Sequence, residues 1–396
     1  MKENINQKQN LGILIWGLNN GGAERAAANL SKQLSKKYNV HIMVFDSYTI
    51  SYSYEGTLHT LEAFPAKTPV MKIVNFFKRC WQIHKCKKEN NIQITISFMP
   101  ACNLYNILTK GKGKVIISIR AIMSLTIISN FWRKIITWCG KKADMTVSVS
   151  EMARQDLIKN FSYLPDKVIT ILNLCDTEAL QESNPQIDEI TKNFDFSGGT
   201  FVTVGRLEYE KAQWHLLRAF SLVNTKYPQT KLVLFGQGSL ENSLKMYAQK
   251  LGIYKNTFFM GYLKNQHTFL RKCDVFVLPS FVEGISNALL EAMSCGLPII
   301  STPCQCEVLS KTIHEVKTLE EADWGILIPP FKQTEFNVND LNIEDNDRIL
   351  AQAMEKLLIN KTCNLNYRRK SYERIKDFSV QAITKQWLAI LEFVDK

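Results

Sequence analysis

The sequence has no window of the roughly 18 uncharged apolar residues that would read as a membrane-spanning helix. Its first apolar run, LGILIWGL at 11–18, has the length of a buried strand and is too short for a signal-peptide core followed by a cleavage site. The expectation is a cytoplasmic protein whose contact with a membrane is peripheral, at the inner face. Paired-cysteine zinc signatures are missing too. The ten cysteines (80, 86, 102, 139, 175, 273, 295, 304, 306 and 363) are scattered, and in a chain with no export signal they read as reduced thiols. Cys304-Gln305-Cys306 has one intervening residue and no nearby CxxC or HxxxH partner, so no zinc is expected there. The GxGxxG spacing of an ordinary dinucleotide site is absent. So are an Asp-x-Asp metal motif in a suitable turn, a repeat between the halves, and any low-complexity segment.

What is present is ordinary in bulk and uneven in distribution. A length of 396 residues, with 45% apolar and 22% charged side chains, exceeds what one core usually supports and suggests two soluble domains. The net charge of +12 lies wholly in the first part. Residues 1–180 hold 24 Lys and Arg against 12 Asp and Glu, whereas residues 181–396 hold 25 of each class. A polyanionic surface is the expected partner of the basic half, either nucleic acid or an anionic leaflet.

Strand and helix patterns alternate twice along the chain. Apolar runs at 11–16, 40–45, 92–98, 114–119, 144–149 and 167–172 read as parallel-sheet strands, with helix-period segments such as 23–36 and 70–89 between them. Residues 180–197 turn polar, with Pro, Ser and paired Gly, and read as a linker. The alternation resumes with strands at 200–205, 231–235, 257–260, 274–278 and 297–301, and helices at 211–225, 240–250 and 287–295. The pattern implies two doubly wound α/β domains, 1–180 and 198–378, with a cleft between them. A last amphipathic helix, 379–395, carries Ile383, Trp387, Ile390, Leu391 and Val394 on one side and is expected to close back on the first domain.

In open α/β sheets, ligands sit beyond the carboxyl ends of strands, and three such junctions are chemically loaded. In WGLNNGGAER, Gly21 and Gly22 open a helix and allow close backbone approach; glycine pairs there are also common loop chemistry. In VTVGRLEYEK, Arg206 and Lys211 sit at a helix entry, where cations are not needed for the helix dipole and can neutralise a diphosphate. In PSFVEGISNALLEAMS, Ser286 or Asn287 caps a helix whose amides suit a phosphate. Glu291 lies one turn in, where a carboxylate accepts well from a ribose diol, and Glu283 in the turn can accept sugar hydroxyls. One glutamate would satisfy the helix electrostatics; two, with seven residues between them, point to a ligand.

Taken together, Glu283-x7-Glu291, the Arg206 and Lys211 pair after VGRL, LFGQGSL at 234–240, FMGYL at 259–263 and NNGGAER resemble the family 4 glycosyltransferases. Nearly the whole chain is covered. The resemblance implies the GT-B fold of two Rossmann-like domains and a retaining transfer from a nucleotide sugar. By the same resemblance, Glu283 contacts the donor sugar, Glu291 the ribose, and Arg206 and Lys211 the diphosphate, helped by the amides of Ile285, Ser286 and Asn287. The backbone around Met260, Gly261 and Tyr262 would hold the base, with Gly236 in the neighbouring turn, and Gly21 and Gly22 would face the diphosphate and acceptor. Two departures stand out. Arg120 occupies the position of the family's usual histidine, and residues 304–324 are longer than the family turn, as a flap would be.

The expected reaction is transfer from a UDP-sugar to a hydroxyl of a lipid-linked saccharide, without a metal or other cofactor, as in bacterial surface polysaccharide assembly. Residues 131–142 (FWRKIITWCGKK) mix aromatics and cations as an interfacial helix would, although the same pattern suits a helix packed on a core. The rival readings are a GT-B nucleotide-sugar epimerase, which needs no acceptor, and a non-catalytic nucleic-acid binder. The latter leaves both glutamates without a role, so no nucleic-acid partner is expected.

Overall fold

The computed structural model describes residues 8–19, 21–48, 50–62, 68–127, 129–177, 184–263 and 265–396. Asn20 of the expected glycine loop and residues 180–183 of the expected linker lie outside them. The chain divides into two units, Met1–Leu174 with Val380–Lys396, and Cys175–Ser379.

The first unit is built on β1 (Asn10–Ile15), β2 (Asn39–Val44), β3 (Thr57–Thr60), β4 (Ile94–Phe98), β5 (Lys114–Ile119), β6 (Met145–Ser148) and β7 (Val168–Thr170). Their order is β3-β2-β1-β4-β5-β6-β7, and every neighbouring pair is parallel. β1, β4 and β5 are buried nearly end to end, which is why they read as continuous apolar runs rather than alternating ones. The closing helix Val380–Asp395 completes this core. Ile383, Trp387, Leu391 and Val394 are buried with Ala27, Leu30 and Leu34 of the helix Gly22–Leu34, while Ile390 sits at the margin.

The second unit repeats the winding with β8 (Thr200–Val204), β9 (Lys231–Phe235), β10 (Thr257–Gly261), β11 (Val275–Leu278), β12 (Ile299–Ser301), β13 (Glu320–Glu321) and β14 (Ile326–Leu327). The order is β10-β9-β8-β11-β12-β14-β13, parallel except for the β13–β14 pair. In both sheets the winding reverses beside the first strand, between β1 and β4 and between β8 and β11. In the helix Gln213–Lys226, Gln213 through Ser221 are all buried, and the helix packs against Asp345–Ile359. Inside that contact His215 Nδ1 meets Asp347 Oδ1 at 2.6 Å, and the imidazole stacks on Phe331.

Two expectations change. The stretch read as an irregular linker contains the helix Pro185–Asn193, capped by the Asn184 side chain. Its Ile187 is fully buried, and Phe194 packs edge-on against Phe258 and Phe269, so these residues belong to the second unit. The polar surface of a short docked helix hid that apolar anchor. Of residues 304–324, expected as a flap, the two ends are packed, with Gln305, Cys306, Val308 and Leu309 buried and β13 paired with β14 at the sheet edge, while 311–315 are exposed.

Candidate active site

The carboxyl end of β8 is held open by two glycine turns. Gly205 N donates to Phe235 O at 2.9 Å, and Leu207 N donates to Gln237 O at 3.0 Å. Gly236 adopts φ +137°, and a Cβ there would strike the Gly205 carbonyl, so no other residue fits that crossing. Gly236 N in turn donates to Gly261 O at 2.8 Å, and Gly261 is itself at φ +67°. These bonds align the ends of β8, β9 and β10. From β8 the chain makes a single 3-10 turn, Tyr209–Lys211, and enters the next helix through Ala212 in the left-handed region (φ 52°). That turn throws Lys211 sideways toward β11. Phe281 N donates to Glu210 O at 3.0 Å, tying the β8 and β11 loops together.

The two loops meet in an ion pair between Lys211 Nζ and Glu283 Oε1, with side chains only 15% and 14% exposed. Ser280 Oγ donates to the same carboxylate oxygen at 3.2 Å. Ser280 is fully buried, and its carbonyl accepts from Thr302 Oγ1 at 2.6 Å. The pair therefore sits at the point where the winding of the sheet reverses, the expected ligand position in such folds. Arg206 diverges from it. Its guanidinium pairs with Glu210 and its side chain is 69% exposed. The sequence placed Arg206 and Lys211 side by side; in the structure each has its own carboxylate.

Ser286 caps the helix Asn287–Ser294, its hydroxyl accepting from Leu289 N at 3.3 Å. Its amide is already engaged, donating to Gln305 Oε1 at 3.1 Å, while Gln305 Nε2 donates to Gly284 O at 2.9 Å. Gln305 thus clamps the Glu283–Ser286 loop from a fully buried position. Of the three amides expected to face a phosphate, Asn287 holds the first helical position, where no intrahelical acceptor is available. Ile285 is buried behind it. Glu291 is nearly buried as well, its carboxylate 4.0 Å from His267 Nε2. Tyr262 stands exposed after β10.

In the first unit, Gly21 is the extended cap residue of the helix Gly22–Leu34, and the Glu24 carboxylate folds over it. Arg120 follows β5 and donates to Asn173 Oδ1. Burial lowers its pKa to about 10, which leaves it charged at neutral pH.

Among the described residues, no three His, Cys, Asp or Glu side chains converge as metal ligands. All ten cysteines are free. Burial pushes the Cys304 thiol up to about 12, with the Glu283 charge acting in the same direction, so it is inert at neutral pH.

Residues 20–179 match the description "Glycosyltransferase Family 4", and residues 191–356 match "Glycosyl transferases group 1". The chain belongs to the family 4 glycosyltransferases. It is 25% identical over 396 residues to the Campylobacter jejuni N-acetylgalactosamine-N,N'-diacetylbacillosaminyl-diphospho-undecaprenol 4-alpha-N-acetylgalactosaminyltransferase, covering 97% of this chain and 99% of that one. An uncharacterised glycosyltransferase of Methanocaldococcus jannaschii is 28% identical over 350 residues, 83% of this chain and 86% of its own. The fold is that of Anabaena HepE, solved in complex with UDP, at a TM-score of 0.76 and 15% identity over 97% of this chain and 100% of the other. The protein is therefore a sugar-transferring enzyme of GT-B fold.

Gln305, Ser280 and Thr302 were not singled out by the sequence. The available signal was a lone amide following the apolar run LPIIS, in a position where burial demands a partner.

Proposed function

We propose that this glycosyltransferase moves a sugar from a UDP-linked donor to a hydroxyl of a lipid-linked saccharide, with retention at the anomeric carbon and without a metal. The observation that carries the donor half is the Lys211–Glu283 pair beside the free helix end at Asn287. A lysine already withdrawn from water and aimed at a carboxylate needs only to exchange that anion for a phosphate. The exchange releases Glu283 to accept hydroxyls of the sugar. Lys211, Arg206 and the Asn287 amide then stabilise the charge that develops on the leaving diphosphate. Arg206 swings from Glu210 at little cost, because an exposed pair contributes little. Glu291 would take the ribose, with the backbone at Gly236, Gly261 and Tyr262 at the base and Ile285 and Ser286 shaping the loop. Gly21, Gly22 and Arg120 would serve the acceptor and the donor sugar from the first unit.

The acceptor class draws support from the Campylobacter relative, whose name places it on a diphospho-undecaprenol-linked sugar, and from the basic first part of the chain. Among the described residues no helix is long and apolar enough to cross a membrane, so attachment at the inner face would be peripheral, with residues 131–142 as one contact. Incubation with UDP-hexoses, with and without a polyprenyl-diphosphate-linked saccharide, tests the reading. Transfer only with the acceptor present, giving an α-linkage from an α-donor by NMR, supports it. Conversion of the UDP-sugar alone would make the protein an epimerase, and an inverted linkage would remove retention.

A further inference from the structure

Among the described residues of the first unit, the strongest exposed apolar surface is on the helix Pro69–Glu89, not on the segment 131–142. Val70, Ile73, Val74, Phe77 and Trp81 are 68, 59, 44, 65 and 61% exposed. At about 100° per residue these five positions fall within an arc of roughly 100°, a single stripe along the first three turns. The opposite side is committed to the protein, with Asn75, Ile83, Cys86 and Lys87 buried. An apolar stripe of this kind costs solubility unless something covers it.

The charges of the helix identify what does. It carries Lys72, Lys78, Arg79, Lys85, Lys87 and Lys88 against a single acid, Glu89. Lys72, Lys85 and Lys88 are exposed, and Lys85 lies over the Trp81 ring at 5.2 Å. A protein partner of mixed charge would not require such an excess; an anionic headgroup layer above hydrocarbon matches both features. A second element continues the surface. The helix Asn130–Lys142 exposes Phe131 and Trp138 among Lys134, Lys141 and Lys142. Both helices pack against the helix Pro100–Leu108, so they lie on the same face of the sheet.

We propose that the helix Pro69–Glu89 is the bilayer-docking element, with its stripe below the headgroups of an anionic leaflet and the exposed Lys85 and Lys88 among the phosphates. The inference deepens the membrane reading above and rests on it. It adds insertion of named apolar side chains to simple charge attraction.

The test uses the full chain with vesicles of phosphatidylcholine and phosphatidylglycerol, some brominated in the acyl chains, and measures UDP binding in parallel. Wild type is expected to co-sediment with these vesicles and to lose tryptophan fluorescence to the bromine. Trp81→Phe should still bind while losing much of that quenching. The double change Phe77→Glu with Trp81→Glu should weaken vesicle binding by about tenfold or more and leave UDP affinity unchanged. Wild-type sedimentation by the double variant overturns the proposal, as does equal quenching in Trp81→Phe. A wild-type dimer in solution that the double variant splits would assign the stripe to a second copy and also overturn it. Failure to bind UDP with vesicle binding intact would instead strike the donor reading and leave the docking surface standing.

Discussion

Lys87 and Lys211 are both largely withdrawn from water, one in each unit, and they are held in opposite ways. Lys87 lies between the helices Pro69–Glu89 and Pro100–Leu108 and donates to neutral oxygens, Asn106 Oδ1 at 2.7 Å and Thr109 Oγ1 at 3.2 Å. Burial drives its pKa down to about 7, and among the described residues no carboxylate pairs with its ammonium to offset this. Lys211 faces Glu283 at the reversal point of its sheet. The two units share a winding order, and the difference lies in what each does with a buried cation. In the first, the lysine pins one helix to another and gains nothing from a ligand. In the second, the lysine is paired with a carboxylate, and on the proposed reading each partner is the other's temporary ligand. A sheet reversal is a good place for a ligand, and a half-hidden ion pair distinguishes the second unit's reversal from the surroundings of Lys87 in the first.

The largest effect should therefore come from breaking the second pair. Lys211→Ala is expected to lower kcat by about a hundred- to a thousandfold, the usual loss on removing one preorganised donor to a developing anion. Glu283→Gln should lower it by a comparable factor, because a hydroxyl acceptor is replaced by a neutral amide. Thermal melts should change far less than turnover. Near-wild-type kcat in either variant would end the assignment of this pair to catalysis. Glu291→Ala tests the neighbouring helix. Loss of a charged acceptor worth roughly 1.5–3 kcal/mol should weaken UDP by about ten- to a hundredfold in calorimetry. Unchanged affinity in a folded variant would remove Glu291 from the ribose.

The fold was legible because its strands are apolar on both faces. β9, read as 231–235, and β5, read as 114–119, have those bounds in the structure, and the closing helix was marked by Ile383, Trp387 and Leu391. Short or edge elements were not legible. β3, with the alternating TLHT, and the two-residue β13 carry too little apolar content to stand out. The helix Pro185–Asn193 looked like a linker because one buried isoleucine anchors it. At the site, spacing located Glu283, Lys211 and the helix start. It could not show that Arg206 would choose Glu210, or that Gln305 would occupy the Ser286 amide, because both depend on chain segments brought together only by folding.

Lys87 supplies a sharper contrast through pH. Its folded pKa, about 7, lies below the ordinary 10.5. Between those values the unfolded chain binds more protons than the folded one, so this group's contribution to stability rises with pH through that window. Lys87→Met removes the titration. Urea midpoints at pH 6.5 and 8.5 should show wild type gaining on the variant at the higher pH. A constant difference would mean that Lys87 titrates as it does in the unfolded chain.

The smallest expected effect concerns the charge that separates the two parts of the sequence. Each cation near an anionic leaflet contributes on the order of 1 kcal/mol, and exposed charges are screened over about 10 Å at 0.1 M salt. Lys141 and Lys142, exposed at the end of the helix Asn130–Lys142, lie in the basic part of the chain. Replacing both with Glu should weaken binding to anionic vesicles at low salt and matter little at high salt, where apolar insertion alone persists. The same change at Lys255 and Lys361, exposed in the second unit, should leave vesicle binding close to wild type. If the two double variants lose equal affinity, the attraction follows net charge rather than a face, and the contrast between the units would then lie in their ion pairs alone. If only the first loses it, and only at low salt, the basic unit faces the leaflet, and the uncharged stripe from Val70 to Trp81 accounts for what salt does not remove.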